Sequence, residues 1–228
     1  MYEILEGVNI YSESLNLYSD GLLSSPIFPM LCDPFGCRYE NWTIRWWRWL
    51  LATPREINPA MDITGARASI NQNYAPVYFL CQTWENKCSV GVRKIVIPEG
   101  TSIFMPLINW ISIMSVDGFS ERDLKRKATQ KMDIIEDLQI NINGKKIKAH
   151  FQDYRIQTGI FNVRLPNNNI FDLRPGLTKA YSDGYWIMTT PIARPISLYT
   201  FSSCSSGLTK ISIQYQIGII ANSKVIKK

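Results

Sequence analysis

The stretch TKISIQYQIGII, Thr209–Ile220, constrains the fold more than any other part of the chain. Ile211, Ile213, Tyr215, Ile217 and Ile219 alternate with Lys210, Ser212, Gln214, Gln216 and Gly218. A period of two puts every apolar side chain on one face of a strand, with the other face wet. LQININGKKIKAHF, Leu138–Phe151, repeats the pattern. Leu138, Ile140 and Ile142 lead to Asn143-Gly144, the dipeptide favoured in type I′ hairpin turns, and Ile147, Ala149 and Phe151 continue the apolar face beyond it. The two-residue loop opposes Ile140 to Ile147 and Leu138 to Ala149, so both arms agree on which side is core.

Six further runs, 77–82, 92–97, 103–108, 160–164, 185–190 and 196–201, are rich in β-branched and aromatic residues and are separated by Pro, Gly and Asn clusters. Two segments read as helices, at about 41–53 and 120–133. The second opens on Ser120 with Asp123 three residues on, close to a capping box, and carries Leu124, Ala128 and Met132 on one stripe. Its basic residues lack interleaved aromatics, which fits a solvated face better than a nucleic-acid contact.

The first helix is WTIRWWRWLL, Trp42–Leu51, with Asn41 as its expected N-cap and Pro54 as its stop. Trp42, Trp46, Trp49 and Leu50 share a stripe, yet Ile44, Trp47 and Leu51 occupy the far side. A membrane-surface helix needs a broad charged face, and here only Arg45, Arg48 and a threonine are polar. A helix apolar nearly all round belongs in a core, with its arginines snorkelling or paired.

These elements predict a mainly β single-domain sandwich, jelly-roll-like, over 39–221, with two packed α-helices. An irregular N-terminal segment, 1–38, precedes it and a basic tail, 222–228, follows. The 46% hydrophobic content suffices for a core of that size, and the net charge of +6 is too diffuse to indicate a nucleic-acid partner. No apolar run reaches the ~18 residues of a membrane span. Met1 leads into Tyr2 and Glu3 without a leader pattern, so a cytoplasmic protein is expected, with secretion or a cell-surface location as the alternative.

The chemistry of common sites is missing from the sequence. His150 is the only histidine and falls on the polar face of its hairpin, which removes two-histidine metal sites. Five cysteines do not suit a zinc site, which needs four converging thiolates: Cys32 and Cys37 bracket DPFG, Cys81 and Cys88 bracket QTWENK with a spacer longer than the usual two to four, and Cys204 stands apart. Either bracketing pair could close a small disulfide loop in an oxidising compartment; in a reducing one most thiols stay unbridged. There is no phosphate loop, and no metal or cofactor is expected. DITG, Asp62–Gly65, resembles the aspartic-protease triplet, but Ile63 intrudes and no second copy exists. What remains are polar residues among aromatics: Asp62, Asn71 and Gln72, and Asp183 beside Tyr185 and Trp186. Gathered at one end of a sandwich, they would suit a sugar or another small polar ligand; scattered, they are turn and cap residues.

The order of NWTIRWWRWLL, INPAMDITG, INQN, VYFLCQT, IPEGTSIFMPLINW, DLQININGK, SDGYW and SCSSGLTK resembles a family of uncharacterised archaeal and bacterial proteins over about 39–219. The resemblance implies a largely β fold with an early tryptophan-rich helix and brings no activity. Relatives in that family carry cysteines near the positions of Ala68 and Ile95, together with a signal peptide; this chain has neither cysteine, which fits the cytoplasmic expectation. The functional expectation is a non-catalytic binding or structural module that takes a small polar ligand or self-associates. A carboxylate hydrolase, or a subunit of a larger assembly, is the alternative.

Overall fold

The structure is a computed structural model that describes residues 25–84, 92–205 and 210–221. Cys88, the tail 222–228 and the first 24 residues of the N-terminal segment lie outside the described residues. Strand outweighs helix, 42% to 21%, which fixes the class as mainly β.

After an irregular lead-in, α1 (Tyr39–Ala52) is followed by two 3-10 turns and then by the strands and the second helix. These are β1 (Val77–Phe79), β2 (Val92–Pro98), β3 (Ser102–Ile113), α2 (Glu121–Met132), β4 (Ile135–Ile142), β5 (Lys145–Lys146), β6 (Arg155–Gln157), β7 (Phe161–Leu165), β8 (Gly176–Met188), β9 (Ile196–Cys204) and β10 (Lys210–Ile220). The first sheet has the order β1-β3-β8-β6, with β7 also on β8; the second has the order β2-β10-β9-β4-β5. β1 runs parallel to β3 and β2 parallel to β10. A jelly roll has only antiparallel pairs, so the arrangement is a mixed two-sheet sandwich.

The alternation read in β10 holds: Ile213, Tyr215 and Ile217 are buried and face the first sheet. They meet Met105, Leu107, Ile108 and Ile187 there. A bulge between Pro106 and Ile108 puts the neighbours Leu107 and Ile108 into the same inter-sheet core. The hairpin turn also holds, with Asn143 at φ 52° and Gly144 at φ 74°. Its second arm is shorter than the alternation suggests. Ladder pairing ends at Lys145–Lys146, and a 3-10 turn at Phe151–Tyr154 buries both aromatics and carries the chain over to the first sheet as β6.

α1 covers the outer face of the first sheet. It begins at Tyr39 rather than beyond Asn41, because Tyr39 is buried and its hydroxyl donates to the Phe28 carbonyl at 2.8 Å. All four tryptophan rings are buried and every indole N–H is satisfied. Trp42 donates to Pro34 O, Trp46 to Leu80 O, Trp47 to Ser182 Oγ and Trp49 to Ile70 O, at 2.7–3.1 Å. Trp186 of β8 lies beneath them, stacked on Phe104 at 5.3 Å and edge-on to Trp46 at 5.1 Å. The arginines reach outward: Arg45 lies over Trp42, and Arg48 Nε donates to Asn162 O at 3.0 Å. α2 starts in a full capping box between Ser120 and Asp123 and sets Leu124 and Ala128 against Tyr181 of β8.

The first sheet is thus covered on both faces. Trp46→Ala would open a cavity beside Trp186 and orphan the Leu80 carbonyl, costing about 3–5 kcal/mol. Denaturant unfolding should show that loss, while tryptophan emission of the wild-type protein stays blue-shifted and unchanged by anionic liposomes or DNA. A variant of wild-type stability would contradict the packing.

Candidate functional site

The six residues read from the sequence as ligand candidates fall into separate groups; the side-chain polar atoms of Asp62, Asn71, Gln72, Asp183 and Tyr185 bond inside the protein, and the buried Trp186 Nε1 has no partner among the described residues. Asp62 lies in the loop between a 3-10 turn at Pro59–Met61 and β1. Its carboxylate accepts from the Thr64 N–H and hydroxyl, the Gly65 N–H and the Arg67 N–H, at 2.6–2.9 Å. Burial raises the pKa of this carboxyl, but the hydrogen bonds from Arg67 and Thr64 and the charge of Arg93 outweigh it and hold it below the ordinary carboxylate value. Asn71 sits at φ 54° and donates to Thr53 Oγ1. Gln72 imitates a strand: its Oε1 accepts the Phe79 N–H at 2.9 Å and its Nε2 donates to Phe79 O at 2.8 Å.

Asp183, Tyr185 and Trp186 lie on β8. Asp183 and Tyr185 share its inner face, and Trp186 points to α1. The Asp183 carboxylate is fully buried and accepts from Arg155 Nε and Nη2 at 2.9 and 2.7 Å and from Gln157 Nε2 at 2.9 Å. Arg155 also pairs with Asp133 at the end of α2, so this cluster ties α2 to the sheet. Tyr185 donates to Gln152 Oε1 at 2.9 Å. Three internal donors on Asp183 and four on Asp62 leave little room for proton transfer to a substrate.

Arg93 has no counterpart in the sequence reading. It sits in β2 in phase with Ile95 and Ile97, on the buried face, and is 1% exposed. Its guanidinium donates to Cys81 O at 2.8 Å, to Tyr215 Oη at 2.6 Å, to Pro59 O at 3.3 Å and to Asp62 O. Tyr215 in turn donates to Cys81 O at 2.7 Å. Burial pushes the Tyr215 phenol well up, so it stays neutral and the node is a cation held by carbonyls.

The concave site lies elsewhere, at the edge of the first sheet beside β3. A cavity of about 420 Å³ is lined by Trp46, Trp47, Gln82, Trp84, Ile108, Asn109, Trp110, Lys131 and Met132, with Ile135, Cys204 and Ile211 at its inner end. A second cavity of about 290 Å³ adjoins it and shares Trp47, Trp84, Asn109 and Trp110; Ile111, Ile113, Val116, Asp117, Phe171 and Leu173 complete its wall. None of the six sequence candidates lines either one. Asn109 Nδ2 and Trp110 Nε1 are buried polar atoms without a hydrogen-bond partner among the described residues. Lys131 Nζ sits 4.9 Å over the Trp110 ring, and Trp84, 43% exposed, meets Phe171 edge-on at 4.7 Å. The only hint of this site in the sequence was an amide and a tryptophan inside the otherwise apolar run LINWISI, Leu107–Ile113.

Among the described residues no group of His, Cys, Asp or Glu side chains is arranged to hold a metal, and no helix is long and apolar enough to cross a membrane. Cys32, Cys37 and Cys81 form no disulfide among the described residues. No protein-family model matches the chain, and no curated protein or solved structure is significantly similar to it.

The Asp62 loop has a clear signature. Asp62→Ala removes the acceptor of four donors and should cost about 2–4 kcal/mol in denaturant unfolding. Because the folded pKa is lowered, the carboxylate's contribution is complete above the ordinary value near pH ~4 and disappears as the pH falls through the folded value. The stability gap between wild type and Asp62→Asn should therefore narrow in acid; a gap independent of pH would contradict the assignment.

Proposed function

We propose that the protein is a non-catalytic binding module whose ligand occupies the aromatic cleft beside β3. One observation carries this reading: two buried donors, Asn109 Nδ2 and Trp110 Nε1, lack a partner at the wall of an apolar cavity. An unpaired buried donor costs about 1–3 kcal/mol, and a ligand acceptor in the cleft removes that cost. Apolar walls with a few convergent polar groups are the usual composition of a ligand site. Lys131 adds a positive charge and Trp84 an exposed ring, so the cleft favours an amphipathic ligand with an apolar body and an anionic or acceptor group. A hydrolase built on Asp62 or Asp183 is less consistent with the geometry, because both carboxylates are filled by internal donors.

The anionic aromatic probe 8-anilinonaphthalene-1-sulfonate tests the site. The folded protein should bind one equivalent, with enhanced probe emission. Trp84→Ala and Lys131→Ala should each weaken binding about tenfold, the scale of one stacking or cation contact, without lowering the melting temperature by more than a few degrees. Absence of saturable binding, or equal affinity of wild type and both variants, would overturn the reading.

A further inference from the structure

The floor of this cleft is a strand edge that no other described strand pairs with. β3 spans Ser102–Ile113, but β1 pairs only with Ser102–Phe104, and the Leu80 N–H to Phe104 O bond closes that ladder. On its other side β3 pairs with β8. The Met114 N–H donates to Lys179 O, so in an antiparallel ladder Ser112, Trp110 and Ile108 also bond towards β8, while Ile113, Ile111 and Asn109 direct their backbone groups away from it. The two ends of this outward edge are capped. Gln82 Nε2 takes Leu107 O; Asp117 Oδ2 accepts the Ile113 N–H at 2.8 Å, and the turn at Val116 and Asp117 donates to Ile113 O. Between the caps, the N–H and C=O of Asn109 and Ile111 have no partner among the described residues.

The two cavities meet along this edge and share Trp47, Trp84, Asn109 and Trp110. The larger reaches from Trp46, Trp47 and Leu50 of α1 past Ile108 and Trp110 to Met132 and Ile135 on the side of α2 and the second sheet. The smaller opens beside Ile111 and Ile113 towards Phe171 and Leu173 on the α1 side. A strand laid along β3 sends successive side chains to opposite faces, so one apolar residue would enter each cavity while the backbone pairs with Asn109 and Ile111. The charge also selects an occupant. Lys127 is already paired with Asp117 at 2.7 Å, whereas Lys131 rests on Trp110 with no carboxylate partner among the described residues.

Resting on the binding-module reading above, we infer that the ligand is an extended peptide that adds to β3 as a strand, with two consecutive apolar residues and a flanking acidic one that meets Lys131. Such β-addition takes its affinity from main-chain hydrogen bonds and its specificity from pockets for alternate side chains.

A displayed library of random dodecapeptides, panned on the whole protein, tests the inference. Enriched sequences should share an acidic residue beside two adjacent apolar ones, displace 8-anilinonaphthalene-1-sulfonate, and lose at least about tenfold in affinity when alternate backbone nitrogens are methylated, since each methyl removes one ladder bond. Lys131→Ala should erase the acidic preference and keep the apolar one. If the probe binds but no peptide is enriched, or if methylation in either register leaves affinity unchanged, strand addition is wrong and the cleft serves another ligand. If the protein sediments as a dimer that Ile111→Pro dissociates, the edge belongs to a second copy and the inference fails. Loss of probe binding altogether would instead remove the binding-module reading.

Discussion

Four buried indoles decide the shape of this protein, because each ring arrives with an N–H that must be satisfied. On α1 they are satisfied by carbonyls and a hydroxyl from beyond the helix, so the helix is both packed on the first sheet and bolted to it. The Trp46 bond has the furthest consequence. Leu80 uses its N–H for the last ladder bond to β3, and its carbonyl is taken by Trp46. One residue later the Cys81 carbonyl is taken by Arg93 and Tyr215 from the second sheet. The next ladder donor on β3 would be Pro106, which has no N–H, so pairing stops after three residues of β1 and the two carbonyls are taken up elsewhere. Among the described residues an edge of β3 is therefore left without a ladder partner.

Arg93 and Asp183 show how the two sheets and both helices are fastened at points where apolar packing alone would be indifferent to position. A buried guanidinium loses hydration worth several kcal/mol, and only several good acceptors offset that. Arg93 has Cys81 O, Tyr215 Oη, Pro59 O and Asp62 O, which come from the segment before β1, the residues just after β1, and β10. Asp183 plays the reciprocal part, a buried anion held by Arg155 and Gln157 of β6. Both clusters fix registers between elements distant in sequence, and neither faces the cleft. Asn109 Nδ2 and Trp110 Nε1, on residues that line the cleft, have no partner among the described residues.

Strands that bury one face were legible in the sequence and strands that bury two were not. β10 and β4 alternate because their outer faces meet water, and β2 alternates likewise. β3 and β8 lie between α1 and the second sheet, so their apolar residues run on without a period. That is why the runs 103–108 and 185–190 stop short of twelve- and thirteen-residue strands. The tryptophan helix was readable because being apolar on every side leaves it no place but a core. Asp62 and Gln72 stood out as polar residues among aromatics, and the same prominence suits an Asx turn or a side chain that substitutes for a strand. Asn109 was hidden by the opposite effect: a lone amide in an apolar run looks incidental until a bulge and a missing neighbour strand put it at an edge.

The account's central claim is that β3 is hydrogen-bonded to β8 on one side and, among the described residues, has no ladder partner on the other between Leu107 and Ile113. Residue-resolved amide hydrogen exchange of the free protein measures this directly. The amides of Ile108, Trp110 and Ser112, directed at β8, should be protected, and those of Asn109 and Ile111 should exchange at least about a hundredfold faster, because they open without breaking a ladder bond. Uniform protection along the strand would mean that the edge is already paired and that the cleft has no strand to offer.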